Sequence, residues 1–318
     1  MAKHERSTLW RTQNFVRSAA VIVPILERSG IGRSDVVLDI GAGTGVISEL
    51  LRSRGARVIA VERDPILCGR LRRRFRDDAA AVVACDDFLR VPLPSRSYKV
   101  FSNPPFDITT AIVSRLMNAP NAPDDAFLAV QREAADRYMG RPFETLYALL
   151  LKPWSTPSVV HQFRREDFVP TPNVDVVMLR LRKRGPPLVA ASQRSLYRDF
   201  IVACFTAWRP SVAAALDRAL GARAARELLR QADVEGEGKP SELPFARWLG
   251  LFSAFARMPD AATRRVVGAE QRLRAQQKRL RKIHRTRVPR DGLSARRRVT
   301  GATPAPTPHT SRSHANVL

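Results

Sequence analysis

Three short stretches of the chain carry residue types able to do chemistry together. Asp39-Ile40-Gly41-Ala42-Gly43-Thr44-Gly45 follows an apolar run and opens a helical pattern. Glycines there let the backbone turn tightly and approach a ligand with no Cβ in the way. A G-x-G-x-G turn is shared by dinucleotide enzymes and many plain loops, so alone it discriminates little. Glu62 sharpens the reading, because it closes Val58-Ile59-Ala60-Val61 about twenty residues downstream, where a carboxylate accepts both hydroxyls of a ribose. A third apolar run leads into Cys85-Asp86-Asp87-Phe88, which sets an acid where an adenine amino group donates. On residue type either aspartate fits, and the other is then a solvated or capping carboxylate. The set describes a nucleoside-bearing cofactor, and a nicotinamide dehydrogenase would meet its first two criteria.

Such a dehydrogenase fails on Ser102-Asn103-Pro104-Pro105-Phe106. The exocyclic amine of adenine is a poor nucleophile, since its lone pair is delocalised into the ring. Two acceptors gripping its hydrogens, the Asn103 side-chain oxygen and the Pro104 carbonyl, favour a pyramidal nitrogen aimed at a methyl donor. The prolines fix the loop and keep its backbone from entering a helix. Phe106 offers a flat face on which an extruded base can stack. Transfer from a sulfonium is then an in-line displacement governed by positioning.

These residues need elements to hold them. Apolar runs at Val36–Ile40, Arg57–Val61, Ala81–Ala84, Tyr98–Ser102 and Ala126–Val130 read as strands. Helical spacing lies between them, at Val46, Leu50 and Leu51, and again over Gln131–Met139. This rhythm predicts an α/β fold, a mostly parallel, Rossmann-like sheet with helices on both faces. Val174–Leu181 alternates loosely after prolines and reads as a late edge or hairpin strand. A basic Pro/Gly linker, Arg182-Lys183-Arg184-Gly185-Pro186-Pro187, marks a boundary. Beyond it, apolar residues at three and four spacing predict a small all-helical domain. The expected division is 1–185 for a cofactor-binding catalytic domain, 186–258 for a helical domain and 259–318 for an Arg-rich, largely disordered tail.

Composition bounds the partners. The formal net charge is +24 over 318 residues, and 261–318 hold 13 Arg and 2 Lys against Glu270 and Asp291. High-GC coding explains the preference for Arg over Lys but not the excess of positive charge, which points to a polyanion. In the helical region Arg198, Arg209, Arg218, Arg223 and Arg226 are candidates for phosphate contacts. Cys68, Cys85 and Cys204 are widely spaced, with no partner histidines, and read as reduced core thiols in a cytoplasmic protein. No metal set is visible, and no apolar run approaches the ~18 residues a membrane span needs. Ala19–Leu26 is short, holds Pro24, and reads as a buried helix face and no export signal.

Here a resemblance becomes specific. Asn103-Pro104-Pro105-Phe106 after this cofactor pattern resembles the fourth motif of N6-adenine methyltransferases. Gln13-Asn14-Phe15-Val16 and Phe168-Val169-Pro170-Thr171-Pro172-Asn173-Val174 complete a signature similar to that of the ribosomal RNA adenine N6-methyltransferases, over roughly residues 10–255. That superfamily holds the Erm antibiotic-resistance methylases and the small-subunit adenine dimethylases. The resemblance implies a class I methyltransferase sheet and S-adenosyl-L-methionine as cofactor. By position, Asn14 and Val16 would touch its methionine part, Gly41 would lie beneath it, Glu62 would hold the ribose and Asp87 the adenine. Asn103 would contact both cofactor and target amine, and Phe168 would cover the second face of the base opposite Phe106.

Asn-Pro-Pro-Phe followed by Asp107-Ile108-Thr109-Thr110 is nearer the Erm proteins of antibiotic producers than the Asn-Leu-Pro-Tyr of small-subunit dimethylases. The implied substrate is one adenine in the peptidyl-transferase region of 23S rRNA, met before or during large-subunit assembly by a monomer. Its methylation would confer macrolide, lincosamide and streptogramin B resistance. Two departures stand out: the doubled Asp86-Asp87 and a phenylalanine, Phe106, where many relatives use tyrosine. A DNA adenine methylase shares only the fourth motif, and a non-enzymatic RNA-binding factor would show damage at Gly41, Glu62 or Asn103, where none is present.

Overall fold

A computed structural model describes residues 14–279 apart from Trp208, so Gln13 and the segment from 280 onward lie outside the described residues. The chain opens with β1 (Phe15–Val16) and α1 (Ala19–Ser29), whose first turn is capped by the Ser18 hydroxyl. Two β-α steps and a further strand follow: β2 (Val36–Ile40) and α2 (Val46–Ser53), β3 (Arg57–Val61) and α3 (Pro65–Arg74), then β4 (Ala81–Ala84). In α3 the Asp64 carboxylate accepts from the Ile66 and Leu67 N–H groups, and Pro65 occupies the first turn, where a missing N–H is harmless. β5 (Lys99–Ser102), α4 (Thr109–Asn118), β6 (Asp125–Gln131), α5 (Arg132–Met139) and α6 (Leu146–Leu151) continue the pattern. The sheet ends with β7 (Ser155–Gln162), the short β8 (Phe168–Val169) and β9 (Val176–Lys183).

Seven strands form one sheet in the order β4-β3-β2-β5-β6-β9-β7, with β9 antiparallel to both neighbours. Consecutive residues feed opposite faces, as a pleat requires. Val37, Phe101, Phe127 and Met178 join the core under α1 and α2, whereas Leu38, Val100, Leu128 and Leu179 join the core under α4 and α5. The strand order reverses between β2 and β5, since the chain runs outward to β4 and returns on the other side of β2. That switch point opens a crevice at the carboxyl ends of β2 and β5, where the glycine turn and the Asn103 loop emerge side by side.

Two expectations about the sheet change. The late strand begins at Val176 and lies inside the sheet, between β6 and β7. The edge is β7, whose Ser-Thr-Pro-Ser start carries no alternation; Pro157 is tolerated there because an edge strand leaves one side unpaired. A second sheet of two strands joins β1 to β8, pairing Phe15 with Val169 and Val16 with Phe168.

The helical region comprises α7 (Arg194–Phe205), α8 (Val212–Leu220), α9 (Ala222–Ala232) and α10 (Phe245–Phe255). Its core stacks Phe200 on Phe255 at 4.6 Å and sets Tyr197 edge-on to Phe252 at 5.0 Å. Leu149 of α6 belongs to this core, and the Tyr197 hydroxyl donates to the Leu149 carbonyl at 2.7 Å. Residues through Arg274 therefore form one compact unit.

The fold continues past the expected boundary at 259. α11 (Asp260–Thr263) and α12 (Ala269–Arg279) follow, and Val266 is fully buried in the helical core. Asp199 accepts from the Gly268 and Glu270 N–H groups at 2.8 and 2.9 Å, while Arg198 forks onto Glu270 at 2.6 and 2.7 Å. Arg198 is thus spent inside the fold and is no phosphate contact. The cysteine expectation also changes: only Cys204 is a free buried thiol, while Cys68 of α3 and the exposed Cys85 after β4 form a disulfide, their Cα atoms 5.6 Å apart. A pair 17 residues apart across a β-α step carries no spacing signal.

Asp199→Ala removes the acceptor of two N–H groups at the start of α12. It is expected to lower the unfolding free energy by about 1–2 kcal/mol in urea titration; an unchanged midpoint would show that α12 does not depend on this cap.

Candidate functional site

The glycine turn is built on backbone that side chains would block. Gly41 has φ 71°, and a Cβ there would lie 3.0 Å from Pro105 Cδ; Gly43 has φ 59°, and its Cβ would meet the Phe15 ring at 2.8 Å. Glycine at these positions admits the Asn103 loop on one side and β1 on the other. The Gly41 and Ala42 N–H groups donate to the Val61 carbonyl at 2.8 and 3.0 Å. The buried Glu62 accepts from the Gly43 N–H with one oxygen and from the Asp64 N–H with the other, both at 2.8 Å. Each carboxylate oxygen keeps a further lone pair, so Glu62 can fasten the turn and still accept ribose hydroxyls.

The Asn103 loop is fixed from both ends. Ser102 Oγ accepts from the Ile40 N–H at 2.7 Å, locking β5 to β2 where the loop departs. The Asn103 Nδ2 donates to the Asn14 carbonyl at 2.7 Å. Its Oδ1 is buried and has no partner among the described residues. Pro104 is buried, Pro105 and Phe106 are half-buried, and a 3-10 turn over Phe106–Ile108 leads into α4.

Asn14, Val16, Asp39, Gly41, Asn103, Pro104 and Phe106 line one cleft of about 500 Å³. An adjoining cleft of about 570 Å³ is lined by Glu62, Asp64, Asp87 and Phe88, and the two share Gly41 and Pro105. The residues singled out in the sequence for a methionine-like moiety and a target amine therefore sit in one chamber, and those for ribose and adenine in the next. Asp86 is exposed and accepts from the Asp87 N–H at 2.7 Å, a capping role, whereas Asp87 lines the cleft.

Phe168 is the exception. The β1–β8 register turns it inward, fully buried and 5.2 Å from the Phe163 ring, and it lines neither cleft. Alternation along a two-residue strand exposes Val169 and buries Phe168, which lies in the core that Val16 and Phe106 pack against and offers no open face to a base.

Sequence reasoning passed over three further residues. Asp39 is buried at the end of β2, its Oδ2 accepting from Ser48 Oγ at 2.7 Å and its Oδ1 unpartnered among the described residues. Burial pushes its carboxyl up to about 7, the Ser48 bond opposes this, and the nearby Glu62 charge adds to it. An acid closing the run Val36-Val37-Leu38 was its signal. Arg74 reaches from α3 to the Thr44 carbonyl at 2.8 Å, pinning the far side of the turn. Arg115 of α4 donates to the Phe88 and Val91 carbonyls and lies 5.0 Å above the Phe88 ring, holding the Asp87 loop. Neither arginine had a signal in sequence. Among the described residues no group of three His, Cys, Asp or Glu could hold a metal, and no helix is long and apolar enough to cross a membrane.

A seven-stranded sheet with antiparallel β9 set between β6 and β7, and a glycine turn at its switch point, is the Rossmann-like methyltransferase fold that the solved structure named below shares. Within it, the chain belongs to the ribosomal RNA adenine dimethylase family, whose model matches residues 8–257. A Bacillus licheniformis rRNA adenine N-6-methyltransferase is 30% identical over 178 residues, 55% of this chain and 62% of that protein. The chain thus spans less than two thirds of that relative's length. The ribosomal RNA small subunit methyltransferase A of Synechococcus sp. (strain JA-3-3Ab) is 29% identical, covering 68% of this chain and 79% of its own. Among solved structures, the 23S rRNA methyltransferase ErmE superposes with a TM-score of 0.68 at 28% identity, covering 77% of this chain and all of that one.

The raised Asp39 carboxyl gives a pH test. Its stabilising contribution is complete below about pH 4 and is lost as pH rises through about 7. Wild-type stability relative to Asp39→Asn should therefore fall between about pH 4 and pH 7, by at most about 4 kcal/mol, and level off above. Parallel urea melts of the two proteins check this, and parallel pH profiles would remove Asp39 from the account.

Proposed function

We propose that the protein is an S-adenosyl-L-methionine-dependent methyltransferase acting on the N6 amine of a single adenine in the peptidyl-transferase region of 23S rRNA. The observation that carries this reading is the orphaned Asn103 Oδ1, a buried acceptor in a chamber walled by Pro104, Phe106 and Gly41. A buried acceptor without a donor is unfavourable by about 1–3 kcal/mol, so a ligand that donates there binds with advantage. S-adenosyl-L-methionine would supply an electrophilic methyl group on a sulfonium.

The protein's own residues do the remainder. Glu62 accepts from ribose hydroxyls, Asp87 from an adenine amine, and Asn14 and Val16 border the methionine part. Asn103 Oδ1 and the Pro104 carbonyl hold the hydrogens of the target amine, keeping its lone pair out of conjugation. Phe106 supports one face of the extruded base. The proton lost from the amine passes to solvent.

The Erm reading rests on the Asn-Pro-Pro-Phe-Asp-Ile-Thr-Thr sequence from Asn103 to Thr110 and on full coverage of ErmE at 28% identity. Methylation at that site would confer macrolide, lincosamide and streptogramin B resistance. We take the protein to act in the cytoplasm, as a monomer, on rRNA before or during large-subunit assembly. The helical region and the basic segment beyond it would add phosphate contacts through residues such as Arg209, Arg218, Arg223 and Arg226, with a steep salt dependence. A second reading, a small-subunit adenine dimethylase, is favoured by the longer Synechococcus alignment.

Purified protein, labelled S-adenosyl-L-methionine and separated ribosomal RNAs distinguish the two. Label is expected in the 23S molecule, at one adenine mapped by reverse transcription. Asn103→Ala should reduce transfer at least about a hundredfold. Label confined to the 16S molecule would favour the second reading, and none in either would remove both.

A further inference from the structure

Away from the clefts, one surface is built in a way the reading above does not use. The segment joining α5 to α6 is tied down along its length. Gly140 caps α5 in the left-handed conformation with its N–H on the Asp136 carbonyl, and the Arg141 N–H reaches the same carbonyl at 3.0 Å. The Glu144 N–H donates to the Ser241 carbonyl at 2.8 Å, and its carboxylate grips Lys152 at 2.6 and 2.8 Å. The Thr145 hydroxyl donates to the Arg137 carbonyl and accepts from the Ala148 N–H. Despite this anchoring, Phe143 stands 54% exposed. An aromatic ring left in water on so constrained a loop is apolar area that folding does not recover.

Tyr147, 38% exposed, lies nearby in the first turn of α6. It meets the buried Tyr138 edge-on at 5.8 Å, and the Arg137 guanidinium lies 5.6 Å from its ring centre. Arg137 and Arg141 are exposed, and neither forms an ion pair among the described residues. The patch connects to the helix that follows the Asn103 loop, because Tyr138 packs in one core cluster with Ile112 and Val113 of α4.

We propose that Phe143 and Tyr147, flanked by Arg137 and Arg141, form a stacking platform for unpaired RNA nucleotides adjoining the target adenine. The inference rests on the reading of the substrate as RNA. Every base has a π-face, so exposed rings accept bases without regard to sequence, and unpaired guanidinium groups accept the phosphates between them. Drawing an adenine out of a stack also leaves its neighbours with bare faces, which a preformed ring can cover. A net charge of +24 selects a polyanion over a basic protein segment.

The test uses the full chain and two probes, a single-stranded oligoadenylate carrying 2-aminopurine and a duplex RNA of equal length. Wild type should bind the single strand more tightly and quench its fluorescence. Phe143→Ala and Tyr147→Ala should each weaken that binding about tenfold and raise the KM for rRNA, with cofactor affinity unchanged. Phe143→Trp and Tyr147→Phe keep a ring and should restore both. Equal single-strand affinity and quenching in wild type and both alanine variants would overturn the platform and leave the surface to a protein partner. The two ideas also separate. If wild type shows the stacking signature yet methylates no RNA, the platform stands and the proposed activity falls. If it methylates rRNA with a KM untouched by either alanine, the reverse holds.

Discussion

Asn103 can offer an acceptor to a ligand only because its amide nitrogen is already committed. The bond from Nδ2 to the Asn14 carbonyl removes the alternative rotamer, so Oδ1 is turned to the cleft without a competing donor. Almost everything around it serves that geometry. β5 is locked to β2 by Ser102, Gly41 lets Pro105 pack where a Cβ would stand, and Glu62 holds the turn from the next strand. The strand order places these loops side by side, so the site is a product of topology as much as of motif.

Charge is distributed with a similar economy. Several acids are matched to arginine or lysine within the fold: Asp78 with Arg52, Asp125 with Arg180, Glu144 with Lys152 and Glu270 with Arg198. Such half-buried pairs satisfy their partners and fix neighbouring elements more than they add net stability. With those acids engaged, much of the excess of basic side chains is left to the surface. A positive field of this kind steers a polyanion toward the protein while base contacts and positioning decide where it reacts.

Most of the sheet, and most of the residues that line the two clefts, were legible in the sequence, for physical reasons. Buried parallel strands such as Val36–Ile40 are continuous apolar runs, and glycines or prolines mark the turns that meet ligands. What escaped were features carried by long-range pairing. β7 has no alternation of its own and is defined by β9. Phe168 is aromatic and opens a motif, yet a two-residue pairing with β1 decides which way it faces. α12 reads as a charged tail until Asp199 and Arg198 of α7 are brought against it. The Cys68–Cys85 link, likewise, depends on α3 lying beside β4.

The two-stranded clasp between Phe15–Val16 and Phe168–Val169 has a bearing on biosynthesis. Asn14, whose carbonyl holds the Asn103 amide, is synthesised some 150 residues before the strand that secures its neighbours. A nascent chain could form the glycine turn and the early β-α steps well before that clasp closes. The pocket would therefore mature only once the sheet is nearly whole, late in the synthesis of the fold.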